Sequence, residues 1–197
     1  MNFTGYARPD GSAGIRNHVL VIPGGFLAAK ICDFVDGTKT IFTADTGSGR
    51  TSLDRETIAR TLIGLARNPN VASVIIHTVN PGVGYPELNT ARLAREIAKS
   101  GKRVEILDVI KEGGTLGALE KGVPLAREMV LEASRIRRQP FDLSHLALGV
   151  KCGASDTTSG IAGNPVIGNL FDRIVAAGGT AFFGETTEII GAEHILC

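Results

Sequence analysis

Short apolar runs rich in valine and isoleucine alternate with longer stretches of helical periodicity along this 197-residue chain. The runs His18–Pro23, Lys39–Thr43, Ala72–Thr78, Arg103–Leu107, Leu146–Val150 and Thr180–Gly184 predict strands. They are continuously apolar instead of alternating, as strands covered on both faces are. Helices are predicted over Phe26–Val35, Ser52–Asn68, Pro86–Ser100, Gly114–Arg137, Pro165–Ala177 and Thr187–Ile195. Asn68-Pro69-Asn70, Lys99-Ser100-Gly101 and Ala177-Gly178-Gly179 supply the stops. The alternation predicts a three-layer α/β fold: a mostly parallel, Rossmann-like sheet with helices on both faces. No repeat, linker or low-complexity tract interrupts it, so 1–197 reads as a single α/β domain with a sizeable core.

That architecture forecasts where a ligand sits, because open parallel sheets bind ligands outside the carboxyl ends of their strands. The loops expected there are Gly24-Gly25, Asp45–Gly49, Asn80–Gly84, Cys152–Ser159 and Gly184–Glu188. All are rich in glycine or small polar residues. They predict one composite cleft with Ser48, Asn80, Cys152 and Glu185 around it.

Composition narrows the function classes. Hydrophobic residues make up 43% of the chain and charged residues 21%, which is the balance of a folded domain. The formal net charge is +1 and no basic stripe is interleaved with aromatics, which argues against nucleic acid. Pro23, Lys30, Pro81 and Lys151 interrupt every apolar run before it reaches the length of a membrane span. The N-terminus lacks the form of a secretion signal. The 3 cysteines show neither a disulfide framework nor a CxxC pattern, so a reducing cytoplasm is the expected compartment.

The segment Cys152-Gly-Ala-Ser155-Asp156-Thr-Thr-Ser159-Gly160 carries the most chemistry. It lies between a predicted strand and a helix predicted to open at Asn164-Pro165, where backbone N–H groups converge on an anion. It adds a thiol, a carboxylate and hydroxyls, more than phosphate cradling needs. Cys152 there is either a thiol activated near a helix start or a small buried hydrophobe. Asp45–Thr51 resembles an anion-binding loop, or equally a plain turn in which Thr51 and Asp54 form a capping box. Neither it nor Pro23–Phe26 fits a Walker A or GxGxxG pattern. Glu185 and Glu188 follow the last strand and suit a general base, a metal ligand or a clamp on a hydroxylated substrate. The structural alternative is a Thr187 cap with Glu188 favouring the helix dipole. His77 ends a strand beside the expected cleft, whereas His18, His145 and His194 read as structural. Arg8 and Arg16 are better placed to clamp an acid than the helix-face arginines. Cys32 reads as core.

These residues carry a family likeness. Gly5-Tyr-Ala-Arg8-Pro-Asp10-Gly11-Ser-Ala-Gly14-Ile-Arg16-Asn17, Asn68-Pro69-Asn70-Val71, Cys152–Ile161 with Asn164-Pro165, and Glu185-Thr-Thr-Glu188-Ile-Ile-Gly191-Ala-Glu193 appear in order. Together they resemble the large catalytic region of the altronate/galactarate dehydratase family, whose most specific motif has the form CGGSDxxSGIxxNP. The resemblance implies a hydro-lyase that removes water from a sugar acid to give a 2-keto-3-deoxy acid; a relative acts on sulfolactate. It implies a divalent metal of the iron(II) type, for which Cys152, Asp156 and Glu185 are the candidate ligands. It also implies catalytic roles for Glu185, Glu188, Asp156 and Cys152. The small hydroxy-acid substrate would be bound by Ser155, Ser159, Asn164, Arg16, Asp45 and Ser48. The family usually carries cysteine in three further cleft loops; here those places read Gly24–Leu27, Ala44–Ser48 and Val79–Gly82. The family's catalytic region is longer than the stretch matched. The chain is therefore expected to be its first half, to work with a second catalytic half or subunit, and to form a homo-oligomer. The rival reading is a sugar-acid or anion-binding domain that has lost the chemistry.

Overall fold

The computed structural model describes residues 2–41, 51–79, 84–154, 156–185 and 189–196. The chain forms two compact units, Thr4–Gln139 and Met1–Phe3 with Pro140–Cys197.

Of β1 (Asn2–Ala7), Thr4–Ala7 belong to the larger unit, where Tyr6 and Ala7 pair antiparallel with β2 (Ala13–Gly14). There follow β3 (His18–Ile22), α1 (Phe26–Phe34), β4 (Thr38–Lys39), α2 (Ser52–Arg67) and β5 (Val71–Thr78). A 3-10 turn (Pro86–Leu88), α3 (Thr90–Ala98), β6 (Val104–Asp108) and α4 (Thr115–Ser134) complete it. The sheet runs β4-β3-β5-β6, and each neighbouring pair is parallel.

The strand period of two sends alternate side chains to opposite faces. Val19 and Val21 of β3, Ile75 of β5 and Leu107 of β6 pack with Leu27 and Ile31 of α1 and Ala126 and Met129 of α4. Leu20, Ile22, Val74 and Ile76 pack with Ala59 and Leu62 of α2 and Leu93 and Ile97 of α3. Helix, sheet and helix make the three layers that the apolar runs predict.

Local chemistry sets the helix ends. Thr51 and Asp54 form the expected capping box: the Thr51 hydroxyl accepts from the Asp54 N–H at 3.2 Å and the Asp54 carboxylate accepts from the Thr51 N–H at 3.3 Å. The helix predicted over Pro86–Ser100 is broken at Asn89, whose side chain accepts from the Arg92 N–H and starts α3 afresh. Of the last predicted helix, the described residues show α6 (Glu193–Leu196) and no helix over 189–192 longer than a turn, while residues 186–188 lie outside the described residues. β1 and β2 have no counterpart in the sequence reading, nor has β7 (Gln139–Asp142).

The amino end of the sheet is tied by two of the family-like segments. Arg8 is buried; its Nε donates to the Pro69 carbonyl at 2.6 Å and its Nη2 to the Arg16 carbonyl at 3.0 Å. Burial pushes its pKa down, against the pull of Asp10. The Asn70 side-chain oxygen accepts from the Ile15 and Arg16 N–H groups, both at 2.9 Å. Buried Lys102 donates to the Ala66 and Asn68 carbonyls at the end of α2, and burial beside Arg8 lowers its pKa to about 8. Arg138 donates to the Thr4 and Ile15 carbonyls. Arg8 thus braces backbone and does not offer its guanidinium to a ligand.

In the smaller unit, β8 (Ala147–Val150), a π-helical turn (Ser159–Gly163), α5 (Asn164–Ala176) and β9 (Thr180–Phe183) form a parallel crossover. Ile174 of α5 is its buried anchor. Among the described residues, no helix is long and apolar enough to cross a membrane.

Gly14 tests the clamp. A Cβ there would lie 2.0 Å from the Pro69 carbonyl oxygen, so backbone must move, whereas a Cβ at Gly25 meets nothing within 4 Å. Gly14→Ala is expected to lower stability in urea by about 2 kcal/mol. Gly25→Ala is expected to stay within about 0.5 kcal/mol of wild type.

Candidate active site

The parallel register pairs Val150 with Phe183, so the chain leaves β8 and β9 at the same edge. The next residues therefore come side by side. Lys151 Nζ lies 2.7 Å from Glu185 Oε1 and donates to the Cys152 carbonyl at 3.0 Å. Glu185 has φ of 68°, the left-handed region that a non-glycine residue enters at a cost of roughly 1–2 kcal/mol. The Lys151 and Glu185 side chains are 62% and 40% exposed, so their pairing contributes only about 0–1 kcal/mol to folding. The pair thus does little to hold the fold. What it provides is an ammonium and a carboxylate 2.7 Å apart beside the half-buried Cys152.

Asp156 has a different job. Its Oδ1 accepts from the Thr158 hydroxyl at 2.6 Å, the Ser159 N–H at 2.9 Å and the Ser159 hydroxyl at 3.3 Å. The Thr158 hydroxyl first, and the Ser159 N–H next, hold its carboxyl below the ordinary carboxylate range. That is the geometry of a helix cap. Thr157 and Thr158 are already helical, and the π turn runs directly into α5.

Asn164 therefore does not cap the helix, as Asn-Pro suggested; its φ and ψ of −64° and −42° are helical. Its N–H bonds to the Ser159 carbonyl five residues back. Pro165 follows inside a continuous helical path, where its missing N–H would leave a gap in an ordinary α ladder. The wide turn before it takes up that gap, a use of π geometry that recurs near functional sites.

The smaller unit thus brings together Lys151, Cys152 and Glu185, with Asp156 and Ser159 at the helix start on the same loop. Asn164 lies beyond the π turn. Arg16 belongs to the larger unit, where it precedes β3 at the amino end of the sheet. Its Nη1 donates to the Ile15 carbonyl at 3.4 Å. Asp45, Ser48, Asn80, Ser155 and Glu188 lie outside the described residues. At the carboxyl end of β5, His77 Nε2 lies 2.7 Å from the Pro23 carbonyl and must donate to it, which leaves Nδ1 as an acceptor. Burial lowers the His77 pKa, so the ring is neutral at pH 7. Cys32 packs against the core, as expected, and burial raises its pKa.

Lys151 is the residue the sequence reading missed. A lysine directly at the end of an apolar strand, next to Cys152, was the available signal; its partner across the sheet comes only from the register.

The candidate metal ligands do not compose a donor set. Asp156 is engaged by three O–H and N–H donors, and Glu185 is paired with an ammonium. No group of three or more His, Cys, Asp or Glu side chains gathers among the described residues.

Comparison with known proteins agrees with the division into units. Residues 5–134 match the family description "D-galactarate dehydratase/Altronate hydrolase, second domain", and residues 143–197 match "D-galactarate/Altronate dehydratase, C-terminal". The chain is 38% identical to the (2R)-sulfolactate sulfo-lyase subunit beta of Chromohalobacter salexigens, over 98% of this chain and 49% of that protein. It is 31% identical to the altronate dehydratase of Bacillus subtilis, over 98% of this chain and 40% of that protein. Against the galactarate dehydratase (L-threo-forming) of Escherichia coli it is 28% identical, over 70% of this chain and 27% of that protein. The chain belongs to the altronate/galactarate dehydratase family. Its relatives are lyases and dehydratases, and it spans half their length or less.

Asp156→Ala separates cap from catalyst. It is expected to speed amide exchange across Thr157–Gly163 about five-fold, as loss of a helix cap does, and to leave β8 and β9 unchanged. Asp156→Ser, another good cap, is expected to restore the protection. Unchanged exchange in Asp156→Ala would show that the carboxylate does not cap this helix.

Proposed function

We propose that this chain is part of a lyase of the sugar-acid dehydratase type, which eliminates water from a hydroxylated carboxylic acid to give a 2-keto-3-deoxy acid. The observation that carries this reading is the Lys151–Glu185 pair beside Cys152 at the shared carboxyl edge of β8 and β9. Family membership supplies the reaction class. The chain's share of its relatives' length supports a reading in which it works with a second half or subunit.

Elimination from a 2,3-dihydroxy acid needs a base for the proton beside the carboxylate, stabilisation of the enediolate, and an acid for the leaving hydroxyl. Glu185 takes the C2 proton, and the electrons of that C–H bond pass into the enediolate. The Lys151 ammonium offsets the new charge and gives its proton to the C3 hydroxyl, which departs as water when the C3–O bond breaks. The enol left behind tautomerises to the 2-keto acid. Glu185 then returns its proton to Lys151 across their 2.7 Å contact, and both are reset. Cys152 lines the site, and Asp156 fixes the helix start that faces it.

A second reading follows from the 38% identity to a sulfo-lyase. The same base and ammonium would serve a 2-hydroxy acid with a sulfur leaving group at C3: the electrons of the C2–H bond expel that group as the C3–S bond breaks, Lys151 keeps its proton, and Glu185 passes the C2 proton to the departing anion or to water.

Glu185→Gln keeps the volume and removes the base. In an assembly completed by the second half and supplied with altronate, galactarate or (2R)-sulfolactate, kcat/KM is expected to fall at least ~10-fold, equivalent to about 1.4 kcal/mol. The melting temperature should not fall, because the carboxylate is exposed and weakly stabilising. A fall in melting temperature with full activity would make Glu185 a structural residue. Binding of these acids without turnover by the wild-type assembly would establish the non-catalytic alternative.

A further inference from the structure

A parallel sheet of two strands is unfinished. Parallel sheets are found with both faces covered, and a pair of strands alone is marginal in water. In the smaller unit, Leu148, Val150 and Ala181 are partly buried, and α5 packs against β9. The alternate positions Ala147, Gly149 and Phe182 are exposed, and so is Phe183 at the end of β9 on the other face. Phe182, 56% exposed, lies across the site of a Gly149 side chain, where a Cβ would come within 2.4 Å of the ring. The aromatic ring therefore covers the place a Gly149 side chain would take and leaves more than half of itself exposed. Among the described residues the sheet consists of β8 and β9 only, so each strand has an unpaired edge, the usual template for further strands.

The relatives indicate what belongs there. The chain matches 49% of the sulfo-lyase subunit and 40% of the Bacillus subtilis dehydratase, so both carry at least as much polypeptide again. We propose that the open face and free edges of β8–β9 receive the polypeptide corresponding to that unmatched half. It would add strands beside β8 or β9 and lay an apolar surface over Phe182. The proposal rests on the reading above and says where the completing polypeptide docks: around the strands whose ends carry Lys151 and Glu185.

The test reads binding, not turnover. The full chain is mixed with the separately produced unmatched half of the Chromohalobacter salexigens protein and followed by sedimentation and amide exchange. A one-to-one complex is expected, with exchange slowed at least ~10-fold at Ala147–Val150 and Thr180–Phe183, and no change in β3 or β5. Phe182→Asp is expected to weaken the complex at least ~10-fold, while the melting temperature of the chain alone holds because the ring is more than half exposed. Phe182→Ala should give a smaller loss in the same direction, independent of any effect of the new charge on folding. The proposal is overturned by no complex, by protection elsewhere, by a Phe182→Asp complex as tight as wild type, or by self-association that protects the same strands without the added polypeptide. A complex with the expected protection but no turnover supports the docking surface and removes only the lyase reading.

Discussion

Parallel pairing is the constraint on which the rest depends. Strands that run the same way must be joined by crossovers, so every carboxyl end in a sheet lies on one edge, where the next helix begins. In the larger unit that edge carries the turn at Gly24-Gly25 and the neutral His77, hydrogen-bonded to Pro23. In the smaller unit it carries Lys151, Cys152 and Glu185. Residues far apart in the chain become neighbours because Val150 is in register with Phe183. A slip of that register would part the ammonium from the carboxylate.

The family-like segments divide their work between the two ends of the strands. Those around Gly14 and Asn70 hold one another at the amino end of the larger sheet, through Arg8 and the Asn70 side chain. They are recognisable for a structural reason: Gly14 admits the Pro69 carbonyl, and no side chain fits in its place. Those around Cys152 and Glu185 lie at carboxyl ends, where side chains are left over for chemistry. There a non-glycine residue is held at positive φ and a π turn interrupts the helix, irregularities that stability alone does not require.

The sheet of the larger unit was legible because continuous apolar runs such as Val74-Ile75-Ile76 suit a strand buried on both faces. The capping box at Thr51 was legible because it is local. β1 and β2 were not, since Pro9, Asp10 and Gly11 between them read as loop and their pairing rests on backbone bonds. Asn164-Pro165 misled for a physical reason: the pair that usually opens a helix here follows a π turn, and Asp156 does the capping. Arg16 drew attention as a charged residue in a family-like segment, yet its backbone serves the clamp at the amino end. The Lys151–Glu185 contact depends on strand register, which residue spacing does not encode.

An exposed ion pair that adds little to stability is a poor structural device and a good chemical one, because its proton can move without cost to the fold. The central claim is that Lys151 and Glu185 act as one acid–base couple. A double-mutant cycle on Lys151→Met and Glu185→Gln, read as kcat/KM in the completed assembly, tests it most directly. Each single variant should lose at least ~10-fold, and the double variant should fall no more than about three-fold below the worse single, since a broken couple has little left to lose. Losses that multiply, or a single variant with full activity, would contradict it.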